Sequence, residues 1–254
     1  MRVRDWSLLC CLLPAGAAFA DEAELKGAAI AASVLHRSVG FGDQAVKIHM
    51  ELRNAQGDVA SRELRVRSLE DEGSVYSLII FDTPRDVKGT ALLVHGEDQW
   101  LYLPAAGQER RISSSNRSGP FAGSEFAYED LIAARPSEYT WKHLGAEACG
   151  DGTCDLVESR PKDDRSGYTK RILSVEQGSG RLKKVDFYDK KDSLLKTLAY
   201  SEHKTYQGKL DRALVWTMTN HQSGKSTVLR FDEFQFKNGY TVSDFSVAKL
   251  KMVR

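Results

Sequence analysis

Runs of alternating apolar and polar residues, repeated along most of the chain, constrain its fold more than any other feature. In the first run, Val46, Ile48 and Met50 alternate with charged or polar residues, as in a strand with one buried face. The later runs cover residues 59–70, 74–81, 87–95, 99–103, 139–148, 153–158, 168–176, 182–188, 194–206, 213–221 and 227–236. Consecutive strands joined by tight turns form an antiparallel meander, and a sheet of this many strands must curl or close.

The lengths of these runs leave two architectures open. Several runs reach about a dozen residues, which is about twice the usual length of a strand. Long strands with one apolar face either pack into two layers or wrap into an open barrel whose concave face holds a ligand. Residues 22–39 have the helical spacing of apolar side chains, and Gly40 and Gly42 end that helix. No linker or repeat divides the chain, so we predict one domain.

The N-terminus has the three parts of a secretory leader. Arg2 and Arg4 precede a short apolar run over residues 6–13, and an A-x-A site closes at Ala20. We therefore predict a signal peptide over residues 1–20, cleaved after Ala20, and a mature domain over residues 21–254. The whole chain has a formal net charge of +1, and the leader contains two arginines and one aspartate, so the mature chain is neutral. This neutrality argues against a nucleic-acid partner, which basic residues would have to attract.

Two cysteines, Cys149 and Cys154, lie in the predicted mature chain. They flank the turn sequence GDGT, residues 150–153, between two strand-like runs. Cysteines that face each other across a hairpin have Cα atoms within disulfide range, and export permits oxidation. We predict a structural disulfide, with a pair of free thiols as the alternative.

Motifs of catalysis and cofactor binding are weak or missing. The stretch GFGDQA, residues 40–45, matches a dinucleotide fingerprint, but it follows a helix and precedes a strand, the reverse of the required order. No G-x-S-x-G elbow occurs, and the six histidines show no ligand spacing for a metal. We predict a protein that is not an enzyme and needs no cofactor or metal. A catalytic triad assembled from distant residues stays open.

The stretch SSSNRSGPFAGSEFAYEDL, residues 113–131, interrupts the strand-like runs. It places Phe121, Phe126 and Tyr128 among small and polar residues that are unusual in a core strand. We predict that this segment is a lid over the mouth of a barrel and that the three aromatic residues face the interior. The alternative is a plain hydrophobic plug.

Several motifs in order resemble those of a known family. They are FDTPRDVKGT (81–90), QWLYLP (99–104), FAGSEFAYEDL (121–131), and YD (188–189) followed by LKTL (195–198). Together they resemble the outer-membrane lipoprotein-sorting proteins, relatives of the periplasmic carrier LolA. The resemblance implies a mainly β fold: a single half-open, strongly curved antiparallel barrel of about eleven strands, with an N-terminal helix and a short helical or loop lid.

The same resemblance implies a function and partners. It implies a monomeric periplasmic carrier, in transient contact with membranes, that binds a lipidated protein or a free lipid in an apolar interior. An inner-membrane transporter and an outer-membrane acceptor are the partners it implies. The alternatives are a lipid-active hydrolase on the same fold and a structural envelope protein that binds a partner protein.

Four further residues are candidates for the cavity. Trp100 and Tyr102 share one face of a predicted strand, where they line the cavity or pack in the core. Arg110 and Arg111 point to opposite faces if their strand continues. One of them is a candidate for contact with a headgroup phosphate or carboxylate, which suits the arginine fork. A surface ion pair is the alternative for both.

Overall fold

The computed structural model describes residues 15–133 and 135–252. Helix α1 (Ala15–Ser38) begins seven residues before the helix that the sequence predicts at residues 22–39 and ends one residue earlier. Residues 1–14 of the predicted signal peptide lie outside the described residues, and cleavage after Ala20 stays a prediction. No helix in the described ranges is long and apolar enough to cross a membrane.

Strands make up most of the remaining chain. They are β1 (Asp43–Arg53), β2 (Val59–Asp71), β3 (Ser74–Thr83), β4 (Ala91–His95), β5 (Asp98–Leu103), β6 (Gln108–Arg111), β7 (Tyr139–Cys149), β8 (Gly152–Pro161), β9 (Lys170–Glu176), β10 (Leu182–Tyr188), β11 (Leu194–Tyr206), β12 (Leu210–Asn220), β13 (Ser226–Phe231) and β14 (Gln235–Phe236). The runs predicted from the sequence miss β6, which is four residues long. They also join β13 and the two-residue β14 into the single run 227–236.

All fourteen strands belong to one curved antiparallel sheet, which confirms the predicted mainly β class. The order is β6-β5-β4-β3-β2-β1-β13-β12-β11-β10-β9-β8-β7, with β14 also paired to β1. Neighbours in this order are neighbours in the chain except at one point, where β1 pairs with β13. The sheet does not close, and β6 and β7 are its two edges. Residues 112–138 therefore join one edge of the sheet to the other.

The inner face of the sheet carries the large hydrophobic core. Val46 of β1 lies opposite Val66 of β2, and Ile48 lies opposite Phe231 of β13, so their side chains share this face. The core also takes in side chains from β7 to β12. Helix α1 contacts β7, β8 and β12, and its Ile30 packs against the same core. The helix and residues 112–138 thus cover the inner face together.

A second, smaller core lies on the outer face of β3, β4 and β5. It consists of the buried residues Leu78, Ile80, Ala91, Leu93, Phe245 and Leu250. The last two belong to the short 3-10 helices Val242–Phe245 and Val247–Met252 at the end of the described chain. These helices cover part of the outer face, so apolar side chains on both faces of β3 and β4 are buried.

The predicted disulfide between Cys149 and Cys154 is confirmed. Cys149 is the last residue of β7 and Cys154 is the third residue of β8, and their Cα atoms are 5.8 Å apart. The bond closes the β7–β8 hairpin at the edge of the sheet.

Candidate functional site

We call residues 112–138 the crossing segment, because they pass from one sheet edge to the other over the inner face. Its backbone folds mainly on itself, in short 3-10 helices that include Phe121–Gly123 and Tyr128–Leu131. The amide of Phe121 donates to the carbonyl of Phe126 at 2.7 Å, and the amide of Tyr128 donates to the carbonyl of Gly119 at 3.1 Å. The segment is therefore a compact unit with its own hydrogen bonds.

The crossing segment is joined to the sheet by side chains. Among the described residues, no backbone–backbone hydrogen bond links residues 113–137 to a strand. Gln99 of β5 donates its Nε2 to the carbonyl of Tyr128 at 2.8 Å, and the amide of Glu125 donates to Thr227 Oγ1 of β13 at 3.0 Å. The strand pairs of the sheet therefore do not depend on backbone hydrogen bonds from the described residues 113–137.

The aromatic residues of the segment point into the inner core. Phe121 and Phe126 are 2% and 1% exposed, and Tyr128 packs partly buried beside them. The Phe121 ring lies 5.6 Å from the rings of both Phe81 and Tyr128. Gly123 adopts a φ of 71°, a conformation open to glycine at little cost. The small residues thus allow the sharp turn that places the two phenylalanines inside.

A buried ion pair holds the segment against β11. Lys196 Nζ lies 2.7 Å from Asp130 Oδ2, and their side chains are only 5% and 3% exposed. Lys196 also donates to the carbonyl of Glu125 at 2.8 Å, and the Tyr168 hydroxyl donates to Asp130 Oδ1 at 2.9 Å. One strand lysine and one loop tyrosine therefore bind the same carboxylate of the segment.

A second buried cation lies next to this pair. The Arg171 guanidinium of β9 is 3.8 Å from Glu129 Oε2 of the segment. Glu129 also accepts hydrogen bonds from the Ser166 hydroxyl at 2.7 Å and the Gly167 amide at 2.8 Å. Arg171 lies over the rings of three aromatic residues, at 5.1 to 5.4 Å from their centroids: Tyr139, Tyr168 and Phe187. We call Glu129, Asp130, Tyr168, Arg171 and Lys196 the latch.

Two of the latch residues, Tyr168 and Arg171, have shifted pKa values. Burial, and then the negative charge of Asp130, raise the pKa of the Tyr168 phenol well above its usual value, so it remains a hydrogen-bond donor. Burial acts to lower the pKa of Arg171, but the attraction of Tyr139, Asp130 and other neighbours raises it overall. The latch thus joins two cations on the sheet to two carboxylates on the segment.

The structure corrects the predicted cavity wall. Trp100 and Tyr102 do share one face of β5, but they pack against the outer core around Phe245 rather than in the inner core. Leu101, on the opposite face of the strand, is the residue that reaches the inner core. Alternation along a strand reveals which residues share a face, but an outer face with its own apolar cover has the same pattern as an inner one.

The two candidate arginines are both exposed. Arg111 forms an ion pair with Asp98 and lies 5.9 Å from the Trp100 ring, on the outer side. Arg110 lies opposite Leu101 in the register of β5 and β6, on the inner side of the sheet edge. Arg111 thus takes the surface ion pair that the sequence offers as its alternative.

The latch was not predicted from the sequence, although weak signals of it exist. Lys196 is two positions before Leu198, and Arg171 is two positions before Leu173. Because side chains alternate between the faces of a strand, each charge falls on the apolar face of its run. A charged residue at such a position is a candidate for burial with a partner. The partners lie far away in the chain, and no local pattern identifies them.

The described residues bring together no evident catalytic site. His143 Nε2 lies 2.7 Å from Asp155 Oδ1, but no described hydroxyl is hydrogen-bonded to that ring. His221 Nε2 contacts the Thr197 hydroxyl at 2.8 Å. That hydroxyl donates to Asp186 rather than to the histidine. In a catalytic triad the nucleophile donates to the histidine and the histidine to the carboxylate, so these three residues do not form one. Nor do the described residues include a group of His, Cys, Asp and Glu able to hold a metal ion.

Comparisons with known proteins identify relatives of the whole fold. A family model described as "Uncharacterized protein" matches residues 73–252, and no curated protein matches. An outer-membrane lipoprotein-sorting protein domain from Vibrio parahaemolyticus is 44% identical, with a TM-score of 0.86, over 90% of this chain and 99% of the other. A DUF1329 family protein from Desulfovibrio piger is 27% identical, with a TM-score of 0.84, over the same shares of the two chains. A LolA superfamily protein from Nitrosomonas europaea, at 22% identity and a TM-score of 0.74, shares the fold over 87% of this chain and 98% of its own.

Proposed function

The chain belongs to the family of outer-membrane lipoprotein-sorting proteins, and we propose that it is a periplasmic lipid carrier. The inner face of its sheet binds the acyl chains of a lipoprotein or of a free lipid. The protein then carries them between the membranes of the envelope. Export by the predicted signal peptide, a donor transporter in the inner membrane and an acceptor at the outer membrane belong to the same proposal.

One observation carries this proposal. Phe121 and Phe126 fill the inner core from a segment that has no backbone pairing with the sheet in the described residues 113–137. Such a segment can withdraw its two rings and leave an apolar groove between strands that stay paired. Acyl chains have the right chemistry to replace the rings, because they bury apolar surface without needing hydrogen bonds. In this proposal the present structure is the closed, unloaded form.

The energies involved agree with an exchange of this kind. Each buried methylene contributes about 0.8 kcal/mol, so a chain of about sixteen carbons contributes on the order of 10 kcal/mol. Leaving one member of a buried ion pair without its partner costs about 3–5 kcal/mol. The free energy from burying an acyl chain is therefore larger than the cost of breaking one ion pair of the latch. The closed segment also keeps an empty groove from exposing a large apolar patch.

The proposal is tested by mass spectrometry of lipids that co-purify with the protein from its native envelope. We expect an acylated molecule at about one copy per protein, intact and with its ester bonds uncleaved. The matched control is the same protein purified after unfolding and refolding without lipid, which should take up a fluorescent fatty acid that the loaded protein excludes. Absence of any lipid together with failure to bind the fatty acid would contradict the carrier function. Release of free fatty acid from phospholipid esters would favour the hydrolase.

A further inference from the structure

The latch has a second consequence, for the kind of lipid that fits. We infer that Arg171 and Lys196 form the binding site for the anionic headgroup of an amphiphile, and that Glu129 and Asp130 occupy this site in the closed form. The inference rests on the proposed function, because it requires the crossing segment to leave the inner face. It goes further than that function because it assigns the ligand a negatively charged headgroup.

The two cations and the two carboxylates belong to different parts of the molecule. Arg171 and Lys196 are on β9 and β11, which stay in the sheet, whereas Glu129 and Asp130 are on the crossing segment and leave with it. Within the described residues, neither cation forms an ion pair with any other carboxylate. An open segment thus leaves two cations at the inner face without counterions.

The surroundings of these cations are poor in water. The Lys196 side chain is 5% exposed and the Arg171 side chain is 14% exposed. Lys196 lies 5.3 Å from the ring centroids of both Tyr168 and Phe187, and Arg171 lies over the same two rings. Aromatic faces stabilise a cation only in part, so a buried cation without an anion is unfavourable. Another anion in place of the carboxylates removes that penalty.

The donors at the site suit a phosphate or a carboxylate. The Arg171 Nε has no hydrogen-bond partner in the closed form. Its N–H group is therefore free to take part in a bidentate contact with an anion. The Tyr168 hydroxyl donates to Asp130 in the closed form, and its raised pKa keeps that proton in place for an incoming oxygen. Lys196 adds a point charge beside them. These three groups face the place where carboxylate oxygens lie now.

The position of the site also fits a headgroup whose chain lies deeper. Val185 and Leu198 lie in the inner core next to Phe187 and Lys196 along β10 and β11. On the other side, Glu129 and Tyr139 line a pocket of about 470 Å³ at the protein surface. A headgroup at Arg171 and Lys196 would thus have apolar surface for its chain on one side and room for a larger polar part on the other.

The experiment compares two ligands that differ only in charge. A fluorescent fatty acid and its methyl ester carry the same chain, so the apolar contribution to binding is equal. We expect the wild-type protein to bind the acid at least about tenfold more tightly than the ester. In the Asp130→Asn/Lys196→Met variant, which removes one pair without leaving a charge, we expect the preference to fall to about twofold or less. The Asp244→Asn/Lys249→Met variant removes an exposed pair on the outer side and should keep the full preference.

Each other outcome separates the possibilities. Equal binding of acid and ester by the wild-type protein overturns the headgroup site and leaves the carrier function standing. Binding of neither ligand contradicts the carrier function itself. A large molar excess of inorganic phosphate should not displace the acid, because phosphate has no chain to replace the segment; displacement by phosphate overturns the amphiphile site in favour of a free-anion site. The wild-type comparison decides the matter even if the double variant does not fold.

Discussion

Replacing Phe121 and Phe126 together with alanine is expected to destabilise the protein by less than the sum of the two single replacements. The rings are 2% and 1% exposed, so each single replacement should cost about 3–5 kcal/mol. Both rings belong to the crossing segment, and a segment that has already detached has no further contacts to lose. The double replacement should therefore lower the free energy of unfolding by no more than the free energy that holds the segment closed. Urea titrations of the four proteins measure the difference.

A pair of buried phenylalanines on strands provides the control. Phe81 of β3 and Phe187 of β10 are 1% and 4% exposed, and both belong to the paired sheet. Their replacements should add, because these strands cannot leave while the protein stays folded. Full additivity at Phe121 and Phe126 would mean that the segment is an integral part of the core. If an alanine variant does not fold, the same double-mutant cycle with leucine measures the additivity, because leucine removes less of each buried side chain.

Replacing Lys196 with methionine is expected to open the crossing segment. Asp130, now 2.7 Å from Lys196 and 3% exposed, would be left as a buried carboxylate without its cation. Such a loss costs about 3–5 kcal/mol. Trypsin cleaves after Arg117, which lies within the segment, so the rate of cleavage there reports opening. We expect this rate to rise roughly a hundredfold or more, since about 1.4 kcal/mol corresponds to tenfold.

Two further variants show whether this effect comes from the latch. Adding Asp130→Asn to Lys196→Met removes the unpaired charge and should restore most of the resistance to trypsin. Lys249→Met breaks an ion pair with Asp244 whose side chains are 44% and 36% exposed, and exposed pairs contribute little, so cleavage after Arg117 should not change. Resistance of the Lys196→Met protein equal to that of the wild type would contradict the role of the latch.

Much of the fold follows from the sequence because sheet pairing here is mostly local. Val46, Ile48 and Met50 keep their alternation in β1, and short turns join nearly every strand to the next, so the meander could be predicted run by run. The pairing of β1 with β13 could not, since it joins distant runs with no turn between them. The resemblance to a known family gave the half-open, curved architecture that the runs alone left undecided.

The site was harder to predict, for two physical reasons. Trp100 and Tyr102 share one face of β5, as the alternation predicts. That face is the outer one, and it is covered by Phe245 and Leu250, so the apolar character of the two residues did not identify the inner face of the sheet. Charged residues in strands are usually exposed, and Lys196 is buried only because Asp130, 66 positions earlier, reaches it. Tertiary partners of that kind leave no local signal.

In our proposal, acyl chains enter only when the crossing segment leaves the inner face. A disulfide that locks the segment should therefore block their entry. The amide of Glu125 donates to Thr227 Oγ1 on β13 at 3.0 Å, so this point of contact is chosen for the lock, with the replacements Glu125→Cys and Thr227→Cys. All these proteins also carry Cys149→Ser and Cys154→Ser, so that the native disulfide cannot form. The proteins with only one of the two new cysteines are the controls. We expect the oxidised protein to exclude a fluorescent fatty acid and the reduced protein to take it up as the controls do. Equal uptake by the oxidised and reduced proteins would mean that acyl chains enter without any movement of the segment.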